Sequence, residues 1–84
     1  KVSSFPIGAL GRAISDGHRD GLIKIVIDAK SRKILGGHII GHNAGEMIHE
    51  IALAMKAGLT VDVLGEMIHA FPTYSEGVAA AASI

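Results

Sequence analysis

No cysteine occurs among the 84 residues, so the chain has no disulphide, thiol nucleophile or thiolate metal site of its own. An excess of charge is missing as well. Eight Lys and Arg balance eight Asp and Glu, and no basic run is present, which argues against electrostatic nucleic-acid binding. No apolar stretch reaches the roughly 18 residues that a membrane helix needs, and nothing reads as a signal peptide. A soluble, cytoplasmic setting with no membrane and no nucleic-acid partner is therefore the default expectation.

Complete catalytic motifs are also lacking. Gly8-Ala-Leu-Gly11 places its glycines at first and fourth positions, where a dinucleotide fingerprint needs first, third and sixth. Gly41-His-Asn-Ala-Gly45 puts asparagine where the second fingerprint glycine belongs, and neither stretch has the lysine of a P-loop. There is no G-x-S-x-G elbow to support serine catalysis.

What the chain does have is apolar residues, 49% of the total against 19% charged. A domain this small has too little interior to hide them all. An exposed apolar face is expected, covered by a partner subunit or by a further part of the same polypeptide. The start at Lys1, without an initiator methionine, fits a fragment or a processed product.

The order of patterns predicts an α+β layer fold. Val2–Phe5 reads as the end of a strand, broken by Pro6 and Gly8. Leu10, Ala13 and Ile14 then recur at helical spacing over Ala9–Ser15, with Gly17 as the stop and Arg12 on the solvated side. Gly21–Asp28 alternates as a strand, Ile23, Ile25 and Ile27 facing one way and Leu22, Lys24 and Val26 the other. The polar turn Lys30–Lys33 returns the chain along Ile34–Ile40 to make a hairpin. Gly36-Gly37 signals a bulge or close backbone packing. Aliphatics on both sides of the first hairpin strand imply a sheet covered on each face.

Asn43 is read as the N-cap of the best helix, with Glu46 three residues on and Gly58 as its C-terminal stop. Its apolar stripe is Ala44, Met47, Ile48, Ile51, Ala52 and Met55, and its opposite side carries Glu46, Glu50 and Leu53. A second helix from Thr60 has Val63, Leu64, Met67 and Ile68 as its expected buried stripe. The turn His69-Ala-Phe-Pro-Thr-Tyr-Ser-Glu76 ends it, and a third helix runs from Tyr74 through the alanine-rich tail.

Two clusters invite chemistry. His42, Glu46 and His49 are spaced i, i+4 and i+7, which places them along one side of a helix. The set is short of ligands, and Leu53 stands where a helical zinc motif needs its second histidine. The reading is no metal. In the turn, Thr73-x-x-Glu76 has the spacing of a capping box, the threonine oxygen accepting from the Glu76 amide and the glutamate reaching back. The alternative is that Glu76 orients a histidine acting as general acid/base. The residues alone leave both roles open.

Three further features, taken in order, carry a resemblance. They are Phe5 followed by Gly11-Arg12-Ala13, the stretch Ile34-Leu-Gly-Gly-His-Ile-Ile-Gly41, and the helix Gly45-Glu-Met-Ile-His-Glu-Ile-Ala-Leu-Ala-Met55 leading to His-Ala-x-Pro-Thr-x-Ser-Glu. Together they resemble the C-terminal dimerisation domain of the flavin-dependent pyridine nucleotide-disulphide oxidoreductases, notably the dihydrolipoamide dehydrogenase-like members. The resemblance covers essentially the whole chain as a single domain, residues 1–84. It implies an antiparallel sheet flanked by helices, lacking the first strand of that fold, and a homodimer with an identical subunit. FAD and NAD(P) domains would lie upstream in the same chain, and this domain alone would hold neither cofactor and be inactive.

By resemblance, the turn before Pro-Thr reaches the partner subunit's flavin and redox-active disulphide, and the residue-proline bond is usually cis. Phe71 and Pro72 then become the flavin-facing contacts, and Glu76 matches the glutamate that pairs with the family's catalytic histidine. Disulphide-reducing members carry that histidine where this chain has Phe71. His69 matches an earlier histidine of the motif and does not inherit its role. Phenylalanine cannot shuttle a proton, so the turn looks like that of mercuric reductase-like and pyridine nucleotide transhydrogenase-like relatives. The rival expectation is a free-standing small-ligand or metal-binding α+β domain using the His42, Glu46 and His49 face.

Overall fold

Isoleucine alternation builds the sheet. In the computed structural model, which describes residues 1–84, strand β2 (Gly21–Ile27) is the central strand of three, in the order β1-β2-β3. Strand β1 (Val2–Pro6) pairs with it antiparallel, Ser3 opposite Ile25, and β3 (Ile34–Gly41) pairs on the other side, Gly37 opposite Ile25. Ile23, Ile25 and Ile27 are all buried. Each such burial contributes about 1.5–3 kcal/mol relative to exposure. The expected hairpin is present, and Asp28 shapes its turn by accepting from the amides of Lys30 and Ser31 at 2.8 and 2.9 Å.

Both readings of Gly36-Gly37 hold. The register shifts between Val26 and Ile27, so that Leu35 is the extra, bulged residue, next to the glycine pair. Gly37 is where helix α2 (Ala44–Lys56) comes closest: a Cβ there would stand 2.6 Å from Ile51 Cγ2.

Four short helices complete the chain: α1 (Gly11–Asp16) after a 3-10 turn at Ile7–Ala9, then α2, α3 (Val61–Glu66) and α4 (Glu76–Ala82). The α+β expectation is met, but the cover is one-sided. Helices α2 and α4 both pack on the isoleucine face of β2, α2 through Ile51 at Gly37 and α4 through Gly77, whose Cβ would meet Ile23 Cδ1 at 2.6 Å. The opposite face carries Val2, Leu22 and Ile40, all exposed. Alternation shows that both faces are aliphatic; it does not show that one chain has helices enough for both.

Helix ends account for the other differences. Ile14 is exposed because α1 starts at Gly11 and turns only Leu10 and Ala13 inward. On α2 the buried line is Met47, Ile51 and Ala54, while Ala52 and Met55 flank the free side of β3. Asn43 does precede α2, but in a left-handed conformation (φ 62°) that makes no side-chain cap hydrogen bond. Gly58, also left-handed (φ 68°), ends it as expected. Of the stripe expected for α3, only Leu64 is buried. The helix stops at Glu66, so Met67 and Ile68 lie beyond it on extended chain, and Val61 fills the core instead. Helix α4 begins at Glu76, two residues after Tyr74.

One arginine ties three parts together. Arg32, in the hairpin turn, donates to both Asp62 carboxylate oxygens at 2.9 Å and to the Ile84 carbonyl at 2.6 Å. A fork of this kind matches carboxylate geometry where a lysine would not.

Candidate functional site

Residues 67–75 form the connection between α3 and α4, and the Phe71-Pro72 bond within it is cis. Proline is the residue that makes this isomer accessible. The turn presents Phe71 at 81% exposure and Ile68 at 95%, so its most apolar side chains point away from the core.

The base of the turn is well tied. Glu76 Oε1 accepts from the Thr73 amide at 2.8 Å, which is one half of the expected capping box. The other half is absent: Thr73 Oγ1 donates to the Ala70 carbonyl at 2.7 Å, so the hydroxyl closes the turn and does not cap α4. Helix α4 starting at Glu76 makes Ser75 the residue before it, and the Ser75 side chain makes no cap hydrogen bond. Glu76 hydrogen-bonds no histidine of its own chain. Within this chain the glutamate is a brace for the Pro72-Thr73 backbone.

A second brace comes from α1. Tyr74 is buried, and its hydroxyl donates to Asp16 Oδ2 at 2.9 Å. Arg12 Nε donates to the same oxygen at 2.8 Å, and Arg12 Nη1 extends to the Pro72 carbonyl at 3.4 Å. The hydrogen bonds from Arg12 and then Tyr74 hold the Asp16 carboxyl below its ordinary range. Burial, reinforced by the bond to Asp16, pushes the Tyr74 phenol up. Arg12 is thus locally paired, and it also touches the turn.

His42 joins this cluster and not the metal trio. Its ring stacks on His18, centroids 4.0 Å apart and 9° between planes, and lies 5.5 Å from the Tyr74 ring. His42, Glu46 and His49 are not gathered into a ligand group.

A third contact was not foreseen from spacing. Glu50, expected on the solvent side of α2, puts Oε2 2.6 Å from His69 Nε2, and His69 Nδ1 lies 3.0 Å from the Met67 carbonyl. The His69 side chain is 6% exposed. Glu50 stands three residues after Met47 and four before Ala54, both buried, so it borders the buried side of α2. No sequence signal links it to a histidine 19 residues on, whereas Arg12–Asp16 has the helical i,i+4 spacing that could have been read.

Residues 1–82 match the family described as pyridine nucleotide-disulphide oxidoreductase, dimerisation domain. The chain belongs to this family. Among curated relatives it is 49% identical over 82 residues to the dihydrolipoyl dehydrogenase of Thermus scotoductus, covering 98% of this chain and 18% of that protein. It is 44% identical over 82 residues to the enzyme of the same name from Corynebacterium glutamicum, with the same coverage of each. Solved structures agree. The HOCl-induced flavoprotein disulfide reductase RclA from Escherichia coli superposes with a TM-score of 0.94 at 28% identity, over 100% of this chain and 19% of that one. LpdA from Mycobacterium tuberculosis gives 0.92 at 27%, over 98% and 18%.

The chain therefore spans about a fifth of the length of the relatives it matches. It is a dimerisation domain of the dihydrolipoyl dehydrogenase-like kind, and the turn between α3 and α4 carries its two most exposed large apolar side chains, Ile68 and Phe71.

Proposed function

We propose that this dimerisation domain serves as the homodimerisation and interface active-site module of an FAD- and NAD(P)-dependent oxidoreductase, and that it is inactive alone. The observation that carries the reading is the Phe71-Pro72 turn, held from below by Glu76 and from the side by Arg12, with Phe71 projecting. A rigid apolar projection on a domain that pairs with its own copy suits contact with a planar ring held by the partner subunit.

The residues present fit that division of labour. No glycine-rich loop of this chain has the spacing that cradles a pyrophosphate, so FAD and NAD(P) would be held by other domains. Phe71 and Pro72 offer a flat apolar surface beside the flavin, and neither carries an exchangeable side-chain proton. The flavin, when bound, supplies the electron transfer from nicotinamide to a disulphide or another acceptor. This chain's residues supply position and exclusion of water.

Two roles for Glu76 then separate. With Phe71 in place of the family's histidine, Glu76 has no base to orient, and its bond to the Thr73 amide gives it a structural role. In the parent enzyme, Phe71→His restores a proton-carrying group near Glu76. It is expected to change turnover with a disulphide substrate by more than tenfold and transfer to a quinone-like acceptor by less than threefold, as general acid/base effects run to about 10²–10⁴. Equal changes with both acceptors would overturn the placement of residue 71 beside the flavin.

A further inference from the structure

Glu50 and His69 hold the turn to α2, and their geometry sets a condition on how many protons they carry. A carbonyl oxygen only accepts, so the 3.0 Å contact to Met67 requires a hydrogen on His69 Nδ1. The 2.6 Å contact between Nε2 and Glu50 Oε2 then needs a second hydrogen, sited on the imidazole or on the carboxyl. With one proton fewer, a ring nitrogen lone pair faces an oxygen lone pair on one side or the other. His69 is 6% and Glu50 20% exposed, so water cannot replace the lost bond cheaply.

The pair also occupies a decisive place. Glu50 adjoins Ile51, which is fixed in the core against β3, and His69 stands two residues before Phe71. No other side-chain hydrogen bond joins residues 67–72 to α2. The remaining side-chain tie between this stretch and another element is the longer, exposed contact from Arg12 to the Pro72 carbonyl.

We propose that Glu50 and His69 form a two-proton clasp that positions the Phe71-Pro72 turn, making Glu50 a positioning residue for the interface. The functional weight of the clasp rests on the reading of that turn as flavin-facing; its existence does not. Other titratable groups on the elements meeting there are Glu46, His49 and Lys56 on α2, Asp62 and Glu66 on α3, and Glu76 on α4. Asp62 is taken by Arg32 and Glu76 by the Thr73 amide, and none of the six hydrogen-bonds either member of the clasp.

The test compares the full chain with Glu50→Gln and Glu50→Ala by NMR, using ¹⁵N-labelled histidine and the backbone amides of Phe71 and Thr73. In the unaltered chain both His69 nitrogens are expected to be hydrogen-bonded. A glutamine amide can donate to a neutral ring or flip and accept from a charged one. Glu50→Gln should therefore keep the turn amides near their positions in the unaltered chain, while Glu50→Ala displaces them. Three results would each overturn the clasp: Gln and Ala displacing the turn equally, Ala leaving it in place, or a His69 whose Nε2 is unbonded in the unaltered chain. If the alanine variant does not fold, the glutamine variant alone decides. No flavin enters this experiment, so its failure is separate from failure of the Phe71→His comparison.

Discussion

Tyr74 is the only tyrosine in the chain, and there is no tryptophan, so its ionisation can be followed by absorbance without interference. Burial and the hydrogen bond to Asp16 raise the phenol above its ordinary value near 10. A raised folded-state value means that the Tyr74 contribution is fully present below pH 10 and is lost as pH rises through the folded-state midpoint. The absorbance midpoint is expected above 10 in the folded chain and at the ordinary value in concentrated urea. Asp16→Asn removes the negative neighbour and should lower the folded midpoint, leaving the part due to burial. A folded midpoint at or below 10 would contradict the buried hydroxyl. Asp16 has the opposite sign: its contribution is present above the ordinary carboxylate value and is lost as pH falls. Tyr74 is thus secured between two pH limits.

At the level of elements, the contact between α2 and β3 shows how close packing replaces a side chain with backbone. Gly37→Ala drives a methyl into Ile51, an overpacking that costs about 1–3 kcal/mol. Ile51→Ala leaves a cavity and costs about 2–5 kcal/mol. Because the new methyl occupies part of that cavity, the double variant should be less destabilised than the two losses added together. Urea denaturation of the four chains measures the coupling. Strict additivity would mean that the two residues do not share the same space.

The same elements show what could be read in advance. The hairpin was legible because a strict two-residue alternation has one structural meaning, and α2 because its stripe is long and ends on Gly58. The short helices were less so. Six-residue α3 has too few turns for a stripe to be defined, and Met67 and Ile68 continue its pattern after the backbone has left it. Of the turn, Thr73-x-x-Glu76 was visible and half right. The Glu50–His69 contact was invisible, since nothing local marks a pairing between a helix middle and a distant turn.

For the molecule as a whole, apolar surface is the central fact. Val2, Leu22 and Ile40 are exposed on one side of the sheet, and Ile68 and Phe71 on the turn. Patches of this kind mark interaction sites, which agrees with membership in a family of dimerisation domains. The chain is expected to self-associate through the turn and the last helices. Sedimentation should show a dimer whose dissociation constant rises at least tenfold on Ile68→Glu, as a charge in a desolvated centre opposes association. A monomer at high concentration, unchanged by that substitution, would count against the interface.

The fit of Gly77 against Ile23, Leu10 and Phe5 has a temporal meaning. These partners stand at Phe5, Leu10 and Ile23, and the helix that covers them, starting at Glu76, is made much later. Until it arrives, the inner face of the sheet stays open on the side of β1. Contacts of such long separation delay folding until the distant segments have met. The nascent sheet therefore depends on being sheltered until that helix has been made.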